Sequence, residues 1–435
     1  MGSQPMLASQ LKAPDWVERM KTGQWYRISG DYPDLGLSAT DPGTRFLADN
    51  DPACDPALNP ASGYRERLRR SLGRKPHSPW QGRMGLCAIT EAWNGAVFAS
   101  GFGDNGGMIV FGGGHNDYFG SDTHAFDLQS RQWSRLTDGF TTGKPDAYGA
   151  GAVYPDAEYP DGSPLPPHTC EYLQYDPVEN DLLLFKGQTE LGPDVKATAR
   201  PHILQLHTRS WRRGPRQPTA HLNSGGCTTW DQKRRLLWGH SGDAGGGNAF
   251  LSFQPDGSHA DGTFGSWGTH YPSKLSGVAD HNVMQIDPLR DIIVIAVHAQ
   301  NELIAIDPNQ PEKTPFVLHS SAPRPLIRPF SALEYAANLD AFIYYSATHG
   351  AAIFSVSAPD GPSIREYVDG TWQWQHLLDR NNTLDPIVDA QALSSCEVNR
   401  DHTFGRFRVA SFGSTDLAIL VRHIDSPVYA LRLNS

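Results

Sequence analysis

The feature that most restricts the fold is an internal repeat. One unit recurs at a period of about 40 to 60 residues: an apolar strand, a turn with Asp or Asn, a second apolar strand, a third ending in Asp or Thr, then an aromatic strand. Second strands read Met108 to Phe111, Leu182 to Phe185, Leu236 to Trp238, Ile292 to Val297, Ala341 to Tyr345 and Leu417 to Val421. Third strands follow as Thr123 to Leu128, His202 to Leu206, Glu302 to Asp307 and Val428 to Leu431, and their alternation suits half-buried antiparallel sheet. Trp133, Trp211, Trp267 and the Trp372, Trp374 pair punctuate the fourth strands. Each unit predicts one four-stranded blade, so the chain as a whole predicts an all-β propeller.

The ends of the chain fit that reading. The last unit, near 406 to 433, has three strands, whereas Gly23 to Ile28 has a fourth-strand pattern with no three strands before it. Pairing the first strand into the last blade would seal the ring and remove open edges. Six or seven blades are expected, a seventh being sought in 378–405 or in the Pro-rich stretch 31–82. The domain expectation is residues 1–82 as the closing strand plus an irregular Pro-rich segment, and 83–435 as the propeller. Within the first, Arg65 to Arg70 reads as a short solvated helix.

Composition narrows the function classes. With 43 Gly, 33 Pro and 19% charged residues in 435, long helices and coiled coils are disfavoured. The formal charge of −10 argues against nucleic acid or an anionic membrane as a partner. No run approaches the roughly 18 apolar residues of a membrane helix, and Met1 to Pro5 lacks a signal pattern. The compartment stays open: secreted or periplasmic if a signal peptide has been removed, otherwise cytoplasmic. Cys54, Cys87, Cys170, Cys227 and Cys396 form no C-x-x-C pair, so neither a disulfide framework nor a zinc module is encoded. A monomer is expected.

Gly112-Gly113-Gly114-His115-Asn116-Asp117-Tyr118, followed by Ala125-Phe126-Asp127-Leu128 and Trp133, resembles a Kelch-type repeat over roughly residues 84 to 435. That resemblance implies a propeller. It leaves function open, because Kelch-type propellers include binding modules, an oxidase and polysaccharide lyases.

Blade geometry then points to one set of residues. In an antiparallel blade, the start of the first strand and the end of the second lie at the same edge, so such positions from every blade converge on one face. Second-strand ends give His115, Gln188, His240, His298, His349 and His423, and first-strand starts give the neighbourhood of Glu91 and Trp93, then His168, His221, His281 and Arg328. Histidine fills 8 of these places, out of 17 in the chain. Converging imidazoles with pKa near roughly 6.5 suit proton transfer, carboxylate neutralisation or metal ligation.

The first reading is β-elimination on a uronic-acid polysaccharide. A lyase must neutralise the uronate carboxylate, remove the adjacent carbon-bound proton and protonate the leaving oxygen. His240 and His298 lie 19 and 17 residues after His221 and His281, the span of a strand, turn and strand. This is similar to propeller-type ulvan lyases, whose sites pair His residues with a Tyr and an Arg on neighbouring blades. The expected catalytic residues are His221, His240, His281 and His298, with His115 and His168 next and Tyr118 standing in for the family's tyrosine. Arg83 and Arg328 are the candidate carboxylate clamps, Arg200 reading rather as a solvated side chain, and Trp93 and Trp238 the candidate stacking surfaces for sugar faces. An acidic polysaccharide or other glycan is the expected partner. The second reading is a non-catalytic propeller that binds a glycan or protein. A third is a metal-dependent enzyme using the funnel histidines; on the first two readings no cofactor is required.

Overall fold

The computed structural model describes residues 11–30, 33–38, 89–90, 93–113, 121–137, 158–159, 161–185, 200–218, 226–240, 250–270, 275, 281–319, 327–346, 352–357, 372–378, 384–386, 389, 403–422 and 426–434. A strand β1 (Trp25–Arg27) precedes the first sheet, made of β2 (Ala96–Ala99), β3 (Gly107–Val110), β4 (Thr123–Asp127) and β5 (Gln132–Thr137). The second holds β6 (Leu173–Asp176), β7 (Asp181–Leu184), β8 (His202–Gln205) and β9 (Ser210–Arg213); the third β10 (Cys227–Asp231), β11 (Leu236–His240), β12 (Phe250–Ser258) and β13 (Phe264–His270). The fourth comprises β14 (Val283–Asp287), β15 (Ile292–Val297), β16 (Glu302–Ile306) and β17 (Phe316–Leu318), and the fifth β18 (Ala332–Ala336), β19 (Ala341–Ser346), β20 (Ala352–Ser357) and β21 (Gln373–His376). The sixth is β22 (Phe407–Phe412), β23 (Thr415–Val421), β24 (Val428–Arg432) and, outermost, β1.

Every pairing inside these six four-stranded sheets is antiparallel. The fold is therefore an all-β propeller of four-stranded blades. The innermost strands β2, β6, β10, β14, β18 and β22 neighbour one another in that order, and β22 also neighbours β2. In β1, Trp25 lies opposite Leu431 and Arg27 opposite Tyr429. The stretches 31–82 and 378–405 contribute no strand among the described residues, and 65–70 lie outside them.

Local chemistry explains the blades. Asn180, Arg235, Asp291 and Asp340 each stand just before a second strand with positive φ, between 48° and 59°, the left-handed step that closes a short hairpin loop. Both faces of the second strands are covered by neighbouring blades, so they read as largely apolar runs: β15 and β23 are buried at every residue. Aromatic side chains wedge the blades apart and together, as where Tyr345 of β19 stacks on Phe407 of β22 with centroids 4.8 Å apart, and Phe185, beside β7, meets Trp267 of β13 at 5.4 Å. Burying one such ring fully is worth about 1.5–3 kcal/mol.

Residues 11–30 and 33–38 lie along the side of the ring. A short 3-10 helix, Asp15–Arg19, buries Trp16 and Val17 in the cluster shared by the first and sixth sheets. The Trp16 indole donates to the Leu128 carbonyl at 3.3 Å, and the Asn105 amide donates to the Lys12 carbonyl at 2.6 Å.

Candidate functional site

The innermost strands begin at one mouth of the ring, here the upper, and end at the lower. Just before them come short lead-in turns. Trp93, Cys170, His281, Phe330 and Phe404 each stand four positions before a residue of the inner strand, respectively Val97, Gln174, Gln285, Glu334 and Arg408. Four of them hold positive φ: Cys170 at 39°, His281 at 64°, Phe330 at 57° and Phe404 at 49°. Non-glycine residues occupy this region at a cost, and bulky ones need surrounding structure to hold them there. Backbone hydrogen bonds between the turns supply it. The Cys170 N–H donates to the Trp93 carbonyl at 3.1 Å, that of Phe330 to His281 at 3.2 Å and that of Thr403 to Phe330 at 3.1 Å. Gly95 is required here, since a Cβ would collide with the Cys170 carbonyl oxygen.

The side chains of these turns gather around one ring. Trp93 lies 5.2 Å from His168, 6.0 Å from His281, 5.8 Å from Phe330 and 6.0 Å from Phe404, the last a stacked pair. His281 and Phe330 are 3.8 Å apart. Lead-in segments of five blades thus share one aromatic and imidazole cluster at the upper mouth. His168 is buried, while Trp93, His281 and Phe330 keep partial exposure. Arg406 lies beneath, its Cζ 5.6 Å from the Phe404 ring, with its three nitrogens donating to the carbonyls of Val421, Asn94 and Arg422. Burial, with the repulsion of Arg422, lowers the Arg406 pKa to about 9.

The remaining expected residues fall in different places. His298 follows β15, and its backbone N–H donates to Asn282 Oδ1 at 3.0 Å, so His298 and His281 stand at the same hairpin end. His240 is instead inside the sheet: it lies opposite Cys227 and Phe250 and is 1% exposed. Burial pushes its pKa down to about 4, which keeps the imidazole neutral at ordinary pH. The places matching His240 in other blades hold Phe185, Ala296, Tyr345 and Val421, all buried. His240 and His298 are therefore two register positions apart rather than equivalent. Trp238 is 2% exposed, stacked on Phe250 at 5.2 Å with His270 at 5.3 Å, so no ring face is left for a sugar. Arg328 is exposed at the rim; its backbone N–H donates to the Tyr344 hydroxyl at 2.9 Å. Arg200, read as solvated, is 9% exposed and donates to the Gly214 carbonyl at 3.0 Å. His115, Tyr118, His221, Arg83, His349 and His423 lie outside the described residues.

Sequence reasoning missed Phe330 and Phe404. Their constant spacing from the inner-strand residue was the available signal, but it becomes visible only when those strands are in register. Among the described residues no group of three or more His, Cys, Asp or Glu is close enough to hold a metal ion. Cys170 and Cys227 are buried thiols outside any disulfide, and the Cys170 thiol donates to the Trp93 carbonyl at 3.3 Å.

The interior and the lower mouth are built otherwise. On the axis between the two mouths, Arg408 is held between two buried glutamates, with Nη1 2.5 Å from Glu334 and Nη2 3.2 Å from Glu171. Burial raises the Glu171 pKa to about 7, against the attraction of Arg408 and with the help of Glu334. Below it opens a cavity of about 320 Å³ whose lining includes Gln174, Gln285, Trp230 and Tyr335. Its rim is a chain of pairs from blade to blade. Arg234 bonds Asp231 in its own turn at 2.7 Å and Asp291 of the next at 2.6 Å, and Arg290 bonds Asp287 at 3.0 Å and Asp340 beyond it at 2.5 Å. Asn338 continues the chain to Asp416.

No protein-family model and no curated protein matches the chain. Among solved structures, a structural genomics protein of unknown function from Bacteroides thetaiotaomicron VPI-5482 is similar at 8% identity, the match covering 74% of this chain and 66% of that one, with a TM-score of 0.38. The fold stated above rests on the sheets themselves.

Proposed function

We propose that the upper mouth is the working end of the protein and that it takes an acidic polysaccharide for β-elimination. The observation that carries this reading is the convergence of Trp93, His168 and His281, from three separate blades, on one point. The reading assumes a Kelch-like ring of six blades sealed by β1. A partly exposed Trp beside imidazoles suits a sugar ring, which presents an apolar face and hydroxyl groups. In the elimination, one imidazole removes the proton next to the uronate carboxylate, the electron pair forms the new carbon–carbon double bond, and the glycosidic oxygen leaves with a proton from a second acid. Partly exposed His281 is the proposed base and His298, at the same hairpin end, the proposed acid. Arg328 at the rim is the proposed carboxylate clamp, with His168 orienting Trp93. Buried neutral His240 is assigned to the wall.

A second reading, glycan binding without chemistry, is favoured by the close contact of His281 with Phe330 at 3.8 Å, which suits a rigid stacking platform. Incubation with a panel of uronate polysaccharides separates the two. Elimination yields an unsaturated product that absorbs in the ultraviolet, and His281→Ala should abolish it. Glycan binding in the absence of such product supports the second reading, and product undiminished in His281→Ala overturns this site.

A further inference from the structure

We infer that Arg422, with the Tyr345 hydroxyl beside it, forms a receptor for one compact oxyanion, a carboxylate or a sulfate, at the upper edge between the fifth and sixth blades. Arg422 follows β23 and is 4% exposed, yet its Nε and Nη1 are buried with no hydrogen-bond partner among the described residues. Tyr345 Oη, on the adjoining blade, is equally buried and equally without a partner. The two groups lie in each other's field: burial raises the Tyr345 pKa and the Arg422 charge opposes that rise, while Asp385 adds to it. Arg406 brings a second guanidinium close, since its Nη2 donates to the Arg422 carbonyl at 3.0 Å. Asp389 is already engaged, accepting from Arg27 at 2.9 Å and from Tyr429 at 2.8 Å.

Buried polar groups are almost always hydrogen-bonded, and an uncompensated buried charge is strongly destabilising. A buried guanidinium with two unsatisfied donors and, on the adjoining blade within its electrostatic reach, an unsatisfied buried hydroxyl describe what an anion would complete. A guanidinium matches carboxylate and sulfate oxygens, which accept several charge-assisted hydrogen bonds at once. A neutral ligand would offer those donors only weaker, uncharged acceptors, and a cation would offer none. The rings of Trp25 and Phe407 flank Tyr345 at 6.0 and 4.8 Å, which limits the occupant to a small group. This inference stands apart from elimination at the Trp93 cluster, because it needs no reaction.

The test uses the full chain in an anion-poor buffer, titrated with sodium sulfate, with sodium glucuronate and, as a neutral control, with glucose, at matched ionic strength. The thermal midpoint of the wild-type protein should rise saturably with one or both anions and stay constant with glucose. A response to sulfate alone assigns the site to sulfate groups, a response to glucuronate alone to carboxylates. Arg422→Gln should weaken the anion response at least tenfold and melt no lower than wild type in the anion-poor buffer, because it removes a buried guanidinium with two unsatisfied donors. Tyr345→Phe should weaken the response by a smaller factor with the fold retained. An unchanged response in Arg422→Gln, or no response of the wild type to either anion, would overturn the inference. None of these readouts depends on forming an elimination product, so the two readings fail separately.

Discussion

The two mouths of the ring use their polar groups in opposite ways. On the axis and at the lower rim, charges are matched: Arg408 with Glu171 and Glu334 between the mouths, and Arg234 with Asp231 and Asp291, Arg290 with Asp287 and Asp340 below. Positive φ occurs at both ends, in the hairpin residues Asn180, Arg235, Asp291 and Asp340 below and in His281, Phe330 and Phe404 above, but only above do aromatic rings crowd one another around Trp93 and do Nε and Nη1 of a buried arginine, Arg422, have no hydrogen-bond partner among the described residues. Matched pairs hold neighbouring blades in place. Strain and unsatisfied donors cost stability and persist where a ligand or a reaction uses them. The matched pairs therefore read as the clasp of the ring, and the contrast is what underlies the proposal that the upper mouth is its working end.

The largest effect should come from breaking the clasp at its centre. Arg408→Met leaves two buried carboxylates without their cation and is expected to lower the unfolding free energy by about 3–5 kcal/mol, measured by urea denaturation. A loss below about 1 kcal/mol would show that the triad holds nothing together. At the other mouth the balance should invert. His281→Asn keeps a residue that tolerates left-handed backbone, so stability should change by about 1 kcal/mol or less while glycan turnover or binding is lost. If that variant unfolds readily and still works, the comparison is reversed.

A pH series sharpens the contrast at an intermediate scale. The folded-state pKa of Glu171, about 7, lies above its ordinary 4.5, so the fold favours the protonated form. Its contribution to stability is complete below about 4.5 and is lost as pH rises through about 7. Glu171→Gln, neutral throughout, should remove that slope: the wild type should lose stability relative to the variant across this window. Parallel curves would contradict the buried-acid assignment. The smallest effect is expected at the exposed rim, where Lys233→Ala removes a 2.6 Å contact to Asp291 from a side chain 66% exposed. Solvent screening should hold that loss below about 0.5 kcal/mol in the same denaturation assay.

Blade architecture was legible because it is written in short-range patterns. The expected second strand Ile292 to Val297 coincides with β15, Leu417 to Val421 covers β23 from its third residue to its end, and Gly23 to Ile28 contains β1, the outer strand of the sixth sheet. Site geometry was legible only in part. A strand end is located by sequence to within a residue or two, yet one residue decides which face a side chain takes. His240, inside β11, consequently joins the interior, whereas His298, one residue past β15, reaches the hairpin end. Trp238 alternates inward for the same reason. The matched charges of the lower rim have their own sequence sign, Asp231 and Arg234 or Asp287 and Arg290 at a spacing of three, but their continuation to Asp291 and Asp340 on the next blade appears only when the blades are side by side.

The central claim, that ligand meets the protein at the cluster around Trp93, is tested most directly by nuclear magnetic resonance of the full chain with labelled tryptophan indoles and histidine imidazoles. On addition of a uronate oligosaccharide, the signals of Trp93, His168 and His281 should shift together and saturate together, while Trp230 in the lower cavity stays in place. Saturable shifts of Trp230 with the three upper signals unmoved would contradict the account.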